Sequence, residues 1–283
     1  MPAILHSLED CQGVVRTWRE AGETVALVPT MGSLHEGHKA LVRRALELAD
    51  RCVVSIFVNP LQFGPGEDFD RYPRGLAADE EFLADTEVDI IFAPEIDVMY
   101  PEGPDAAPTL SAGPVGELFE GAARPGHFDG VLTVVKRLFD YVTPDVAVFG
   151  LKDAQQLFLI HQMVQDRALP VRIEDVDTVR DADGLALSSR NAVLTETSRQ
   201  QALGIPRALE QAATATTAQS ALGMAREILE GAPGVSVDYI EIVDPSTFVP
   251  WEESSSASEG RMIIAATVGG VRLIDNRLLH FGQ

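Results

Sequence analysis

The turn from a strand into a helix at residues 25–38 constrains the fold of this chain more than any other stretch. Residues 25–28 form a short apolar run, typical of a buried parallel strand, and a proline and a glycine end it. A helical pattern of apolar residues follows, and the spacing of Ser33 and Glu36 predicts a capping box that starts the helix at Ser33. A strand that turns directly into a helix is the repeating unit of an α/β fold with a parallel sheet.

Two histidines lie in the first turn of this predicted helix. His35 and His38 are three residues apart and therefore share one face, and Gly37 between them leaves room for a ligand. Free amides and the positive end of the helix dipole attract anions at such a terminus. Two imidazoles there can donate hydrogen bonds to a phosphate as negative charge develops in a transition state. The alternative is that both histidines are ordinary helix-start residues. A zinc site of the His-Glu-x-x-His type is excluded, because it needs histidines four residues apart.

The same alternation of strand and helix recurs up to about residue 177. Buried strands are also predicted at residues 52–58, 88–92, 146–149 and 171–176, and helical patterns separate them. Five strands that alternate with helices predict a doubly wound, Rossmann-like parallel sheet. We predict this domain at residues 1–177, with a helix over residues 4–20 before the first strand.

The pattern changes beyond residue 178. Residues 195–213 and 220–229 have the pattern of amphipathic helices, and residues 235–243 alternate like a strand. Two further predicted strands, at 261–268 and 271–274, flank a pair of glycines that signals a hairpin. The sequence therefore predicts a smaller α+β cap domain at residues 178–283.

The charge of the chain limits its partners. Its 22 basic and 43 acidic residues give a formal net charge of −21, which opposes broad contact with nucleic acid or an anionic membrane. No apolar run is long enough to span a bilayer, and the N-terminus lacks the order of a signal peptide. We expect a cytoplasmic protein with no nucleic-acid or membrane partner, in which a local basic pocket must attract any anionic substrate.

Polar residues follow several predicted strands and are candidates for such a pocket. Asn59 and Gln62 come just past a strand's carboxyl end, where open α/β sheets bind ligands. Lys152 follows Gly150 near a helix start, where a lysine acts as a compact charge for phosphate. The run Ser-Ser-Arg at residues 188–190 combines hydroxyl donors with a fixed cation, which suits phosphate binding. Taken alone, each could equally be a turn amide, an exposed ion pair or a helix-entry loop.

A family resemblance narrows these alternatives. Residues 31–38, Met-Gly-Ser-Leu-His-Glu-Gly-His, resemble the His-x-Gly-His signature of the nucleotidyltransferase superfamily. Together with the preceding Pro-Thr, this stretch resembles the corresponding motif of one member of that superfamily, the pantoate–β-alanine ligase family. Further stretches that resemble that family follow in order: Asn59-Pro-Leu-Gln-Phe63, Tyr72-Pro-Arg74, Arg124-Pro-Gly-His-Phe-Asp-Gly-Val131, Gly150-Leu-Lys-Asp-Ala-Gln-Gln156, Leu187-Ser-Ser-Arg-Asn191 and Leu273-Ile-Asp-Asn-Arg277. Leu151 departs from the family, whose members often have an acidic or amide residue there.

The resemblance implies an ATP-dependent ligase that joins pantoate to β-alanine through a pantoyl adenylate, with Mg2+ bound to the ATP. It also implies a homodimer formed through the N-terminal domain. Two rival hypotheses are a cytidylyl- or adenylyltransferase of the same superfamily and a non-catalytic nucleotide-binding module. The paired glutamines and the run Arg-Pro-Gly-His-Phe favour the ligase over the transferase. The intact histidine pair, Lys152 and Arg190 disfavour the module.

The resemblance also implies roles for individual residues. The predicted catalytic residues are His35, His38, Lys152 and Arg190, with His38 as the proton donor. The predicted ATP-binding residues are Met31, Gly32, Ser33, Leu34, His35, Glu36, Gly37, His38, Gly150, Leu151, Lys152, Asp153, Val179, Leu187, Ser188, Ser189 and Arg190. The predicted substrate-binding residues are Gln62, for pantoate and β-alanine, Gln156, for pantoate, and Asn59 and Arg124. An acidic residue, Asp79, is predicted to lie near the Mg2+.

Overall fold

The chain divides into two compact units. The computed structural model describes residues 1–67, 69–252 and 258–282. The first unit comprises Met1–Leu151 and Gln155–Asp177, and the second comprises Lys152–Ala154 and Thr178–Gln283. The short segment Lys152–Ala154 is thus grouped with the second unit, although its neighbours along the chain belong to the first.

A six-stranded parallel sheet forms the centre of the first unit. Its strands are β1 (Ala3–Leu5), β2 (Val25–Thr30), β3 (Arg51–Ile56), β4 (Ile90–Phe92), β5 (Val146–Gly150) and β6 (Arg172–Val176), and they lie in the order β1-β4-β3-β2-β5-β6. All five neighbouring pairs are parallel. The predicted Rossmann-like architecture is confirmed.

Helices cover both faces of this sheet. They are α1 (Leu8–Glu20), α2 (Glu36–Leu48), α3 (Leu76–Leu83), α4 (Ile96–Met99), α5 (Glu120–Ala123), α6 (His127–Val142) and α7 (Ala154–Asp166). Successive side chains of β3 point to opposite faces, so Val53 packs into one apolar cluster with α1 and α6, while Cys52 and Val54 pack into another with α2 and α3. Burial on both faces explains why the central strands β2, β3 and β5 have mostly apolar sequences.

The predicted helix over residues 4–20 is wrong at its start. Ala3–Leu5 form β1, which pairs with β4 at the edge of the sheet, and α1 begins only after Ser7. The hydroxyl of Ser7 accepts a hydrogen bond from the amide of Asp10 at 3.0 Å and thereby caps α1. A strand of three residues is too short to show a period, so the sequence pattern predicted five strands where the structure has six.

The second unit has the predicted α+β composition. Three helices, α8 (Glu196–Ala202), α9 (Gly204–Ala212) and α10 (Ala218–Glu230), precede an antiparallel sheet of β7 (Val235–Val243), β8 (Glu259–Val268) and β9 (Val271–His280). The predicted hairpin turn is present, with positive φ angles of 57° and 79° at Gly269 and Gly270. The single helix predicted over 195–213 is two helices, because Pro206 has no N–H to continue the backbone ladder across the break at Leu203. Among the described residues, no helix combines the length and apolar character needed to cross a membrane.

Candidate active site

The strand order places a reversal between β2 and β5. β2 pairs with β3 on one side and with β5 on the other, where Ala26 lies opposite Val146 and Leu27 opposite Ala147. Open α/β sheets bind ligands outside the carboxyl ends of the strands at such a switch point. The chain leaves β2 there toward α2 and leaves β5 there toward Leu151.

The two histidines cap α2 themselves. His35 is the N-cap residue, and its Nδ1 accepts from the amide of Gly37 at 3.1 Å, while Nδ1 of His38 accepts from the amide of His35 at 3.2 Å. The ring centroids are 4.1 Å apart. The predicted cap at Ser33 is therefore wrong: the capping box is present, but two residues later and built from imidazoles.

This capping fixes the tautomer of both rings. A backbone amide can only donate, so each Nδ1 must be unprotonated to accept from it. The proton of each neutral imidazole is then on Nε2. Both histidines consequently have a donor group on the ring nitrogen that the cap does not use.

The loop before α2 is held by a buried carboxylate from α3. Asp79 is 4% exposed, and its two oxygens accept from the amides of Ser33 at 3.0 Å and Leu34 at 2.8 Å. Gly32 and Ser33 both have positive φ angles, of 81° and 53°, and a Cβ at position 32 would lie 2.8 Å from Asp79 Oδ2. Burial raises the pKa of Asp79, although the two amides act in the opposite direction. These two amides thus already have an acceptor within the protein.

The buried side chain of Asn59 contacts Gln62. Asn59 is fully buried, and its Oδ1 accepts from the hydroxyl of Tyr100 at 2.7 Å. Its Nδ2 donates to Gln62 Oε1 at 3.2 Å and to the carbonyl of Gly130 at 3.1 Å. Because Asn59 occupies the oxygen of the Gln62 amide, the Nε2 end points to Met31, with 2.9 Å between Nε2 and Sδ. Asn59 therefore sets the orientation of Gln62.

Arg124 and His127 hold the backbone of Gln62. Arg124 makes a two-pronged contact with the Glu67 carboxylate at 2.9 and 2.7 Å, which lowers the pKa of Glu67, and it donates to the carbonyl of Gln62 at 3.2 Å. Nδ1 of His127 donates to the same carbonyl at 2.8 Å. Nearby acidic groups thus already engage the predicted substrate-binding arginine, and its visible contacts support Gln62.

Adjacent glutamines on α7 have different surroundings. Gln155 is buried, accepts from the amide of Glu120 at 3.1 Å, and donates to the carbonyls of Val115 and Leu118 at 2.8 and 2.9 Å. Gln156 is half-buried. Its side-chain amide makes no hydrogen bond to any part of the chain that the structure describes. Of the pair, Gln156 has the amide that a ligand could use.

The predicted residues Lys152, Asp153, Val179 and 187–190 lie in the second unit, whereas Glu36, Gly150 and Leu151 lie in the first. Nζ of Lys152 is 3.8 Å from Asp153 Oδ2. The amide of Leu187 donates to the carbonyl of Val179 at 2.9 Å, so these two predicted ATP-binding residues are neighbours across a short hairpin. The hydroxyl of Ser188 accepts from the amide of Arg190 at 3.3 Å and caps the short 3-10 helix Ser189–Val193. Within its own unit, the structure therefore brings the predicted Ser-Ser-Arg loop into one compact turn.

The described residues contain no group of three or more acidic, histidine or cysteine side chains that could hold a metal ion. Asp79, the acidic residue predicted near the Mg2+, accepts hydrogen bonds from backbone amides with both carboxylate oxygens. This arrangement does not form a metal cage. Mg2+ bound mainly through substrate phosphates needs only one or two carboxylates, however, so the donor set is compatible with Mg2+ that arrives with a nucleotide.

The sequence of this chain matches a protein-family model and the sequences of known proteins. The family model described as Pantoate-beta-alanine ligase matches residues 3–278. The pantothenate synthetase of Acidothermus cellulolyticus is 54% identical over 258 residues, covering 89% of this chain and 84% of that protein. The pantothenate synthetase of Leifsonia xyli is 55% identical over 256 residues, covering 89% of this chain and 88% of the relative.

Solved structures have the same fold. A crystal structure of pantothenate synthetase from Thermus thermophilus superposes with a TM-score of 0.90 at 44% identity, covering 97% of this chain and 98% of the other. The pantoate-beta-alanine ligase from Francisella tularensis, described as complexed with beta-gamma ATP and beta-alanine, has a TM-score of 0.82 at 32% identity and covers 98% of both chains.

Proposed function

The chain belongs to the pantoate–β-alanine ligase family, and we propose that it condenses pantoate with β-alanine in an ATP-dependent reaction. In the first step, a carboxylate oxygen of pantoate attacks the α-phosphate of ATP, which gives pantoyl adenylate and pyrophosphate. In the second step, the amine of β-alanine attacks the activated acyl carbon, which gives pantothenate and AMP. Neither step needs a covalent bond to the protein, so positioning and charge neutralisation supply the catalysis.

The histidine pair at the switch point of the sheet carries this proposal. Because the cap uses Nδ1 of each ring, the Nε2–H groups of His35 and His38 are the donors that would meet the phosphate oxygens. His38 also serves as the proton donor. Lys152 and Arg190 neutralise the charge that moves onto the leaving pyrophosphate.

On the substrate side, Gln62 and Gln156 hold pantoate. A side-chain amide can both donate to and accept from its hydroxyl and carboxylate groups. Asn59 and Arg124 act on this site mainly through Gln62, since one orients its amide and the other holds its carbonyl. Gln62 additionally lines the position of β-alanine.

The reaction itself is tested by following AMP and pyrophosphate together. We expect both products to appear only when ATP, pantoate and β-alanine are present, and pyrophosphate alone to appear in a single turnover with ATP and pantoate. Pyrophosphate release that depends on a phosphate or alcohol acceptor, without AMP, would instead identify a nucleotidyltransferase. Binding of ATP with no turnover at all would identify a nucleotide-binding module.

Gln156→Ala is expected to weaken pantoate binding without destabilising the fold. The substitution removes a ligand-facing amide and leaves a substrate hydroxyl unpaired, at a cost of about 1–3 kcal/mol, or roughly 5- to 150-fold in pantoate affinity. The measurement is the KM for pantoate and for ATP in the pyrophosphate-releasing step, together with the thermal unfolding temperature.

The neighbouring Gln155→Ala is the matched control. It leaves the amide of Glu120 and the carbonyls of Val115 and Leu118 without their partner, so it should lower the unfolding temperature. An increase in the KM for ATP with an unchanged KM for pantoate in Gln156→Ala would overturn the assignment of Gln156 to pantoate.

Mg2+ is part of the proposal as the cation that accompanies the ATP phosphates. Asp79 is the carboxylate predicted near it, and because its oxygens already accept two amides, its main contribution is to hold the loop that leads into α2. Mg2+ supplies charge neutralisation on the phosphates.

Asp79→Asn separates these two contributions. The NH2 group of the new asparagine would face one of the two backbone N–H groups, so two donors would oppose each other. We therefore expect a loss of about 1–3 kcal/mol in stability, which lowers the unfolding temperature by several degrees. We also expect a reduced kcat at every Mg2+ concentration. Glu81→Gln, an exposed substitution on the same helix, should change neither quantity. If excess Mg2+ restored full activity to Asp79→Asn, Asp79 would be a metal ligand rather than a loop anchor.

We also propose a cytoplasmic homodimer assembled through the N-terminal domain, as the resemblance implies. Light scattering at micromolar concentration is expected to give twice the mass of one chain, and a monomer under those conditions would contradict the dimer. Cell fractionation checks the location. The assignment of nucleotide and pantoate binding to residues 1–177 and of a cap role to residues 178–283 likewise remains a prediction.

A further inference from the structure

One stretch that matches the family has no role in the proposed reaction. It is the run Leu-Ile-Asp-Asn-Arg at residues 273–277, in the middle of β9. Asp275 and Asn276 are 3% and 5% exposed, although successive residues of a strand point to opposite faces. Buried polar side chains need hydrogen-bond partners, so the partners of these two residues indicate what the motif does.

Asp275 anchors the hairpin that leads into the Ser-Ser-Arg loop. Its two carboxylate oxygens accept from both terminal nitrogens of Arg180, at 2.6 and 2.9 Å. Arg180 also donates to the carbonyl of Gly184 at 3.1 Å and forms a β-bridge with Ala186, two residues before Ser188. A buried carboxylate in a two-pronged contact is a rigid support, because both the distance and the angle of the guanidinium are set.

Asn276 anchors Lys152. Its Nδ2 donates to the carbonyl of Lys152 at 3.0 Å, while its Oδ1 accepts from Arg261 at 2.6 Å. The donor on one side and the acceptor on the other leave only one orientation of the amide. The backbone N–H of Asn276 also donates to Asp275 Oδ1 at 2.8 Å, which joins the two anchors.

The contact of Asn276 joins Lys152 to a strand of the second unit, to which Lys152–Ala154 also belongs. The segment follows β5 directly along the chain, yet Asn276 binds its first carbonyl from a strand 124 positions away. Adjacent residues of a single strand thereby hold two segments. Asn276 binds Lys152 itself, and Asp275 binds Arg180, whose hairpin leads into the loop 188–190.

We propose that Asp275 and Asn276 are positioning residues that set the spacing between Lys152 and the loop 188–190 for the phosphates of ATP. Asn276 acts through the backbone of Lys152, and Asp275 acts through Arg180. This inference rests on the proposed function, because it takes Lys152 and Arg190 to contact phosphate.

Asn276→Asp tests the inference with little change in size. The substitution puts an oxygen opposite the Lys152 carbonyl and keeps an acceptor for Arg261. We expect the affinity for a non-hydrolysable ATP analogue with Mg2+, measured by calorimetry, to fall about tenfold while the affinity for pantoate is unchanged. Leu279→Ala, in the apolar core of the second unit, should lower the unfolding temperature at least as much but leave the affinity for the analogue within twofold.

A double-mutant cycle shows whether Asn276 acts through Lys152. In a Lys152→Met background, Asn276→Asp should lose most of its effect on binding of the analogue, because the group that it positions is gone. A full tenfold effect in that background, or wild-type affinity in Asn276→Asp alone, would overturn the inference. If Asn276→Asp fails to fold, Asn276→Ala replaces it with the same expected results. Failure of the wild-type protein to bind the analogue would overturn the proposed function, and the inference with it.

Discussion

His38→Asn should reduce the rate of pyrophosphate release by about a hundredfold or more while leaving the fold intact. Asparagine keeps an acceptor close to the position of Nδ1, so the amide of His35 retains its partner. What it loses is the donor at the position of Nε2, and removal of one preorganised donor to a developing negative charge costs roughly 3 kcal/mol. The measurement is kcat for the adenylation step, with the unfolding temperature recorded on the same sample.

Two further variants separate catalysis from capping. His38→Ala loses both the donor and the cap, so it should show the same rate loss together with about 0.5–2 kcal/mol lower stability. His161→Ala removes an exposed histidine paired with Asp175 and should leave the rate unchanged. A His38→Asn enzyme with the turnover of the wild type would show that the histidine serves only the helix.

Lys152→Met should give the second large effect, a loss of about ten- to a hundredfold in kcat/KM for ATP with little change in the KM for pantoate. The chain has three lysines, Lys39, Lys136 and Lys152. Lys39 is buried against Asp85 at 2.6 Å and Lys136 contacts Asp140 at 2.6 Å, whereas the ammonium of Lys152 is 3.8 Å from Asp153. A charged hydrogen bond to phosphate contributes about 1.5–3 kcal/mol, which gives the expected range.

The control for this prediction is Lys136→Met. It makes the same change of side chain on α6. The ion pair that it removes, Lys136–Asp140, spans one helical turn at the surface, so stability should change by about 0.5 kcal/mol or less and kcat/KM should stay the same. Lys152→Arg should recover only part of the activity, since a planar guanidinium cannot replace a compact ammonium. If Lys152→Met raised the KM for pantoate and not that for ATP, the assignment of Lys152 to phosphate would be wrong.

Features that depend on neighbours in the sequence could be predicted from the sequence. The strand at 25–28 and four further runs marked five of the six strands of the parallel sheet. The central strands β2, β3 and β5 are mostly apolar, because a strand buried on both faces has no polar alternation. The spacing of His35 and His38 placed both at the start of one helix. Even here the cap was misplaced at Ser33, since the usual capping residues do not include histidine and the true capping box uses two imidazole nitrogens.

Contacts between distant segments could not be predicted from the pattern. Asp79 looked like a surface residue of α3 or a metal neighbour, but it binds amides 45 and 46 positions earlier. Gln155 and Gln156 look equivalent in the sequence, and only the packing of residues 115–120 against α7 assigns one of them to the fold.

The sequence by itself determined five of the six parallel strands, the histidine pair and the residue types of the proposed phosphate site, because periodicity and local hydrogen bonding decide those features. Only the tertiary structure decided that β2 lies beside β5 and that Asn276 reaches the carbonyl of Lys152. The physical reason is that the pairing of strands and the partners of buried polar groups are chosen by the packing of the whole unit. The local sequence pattern of one segment does not indicate which segment more than a hundred residues away it will contact.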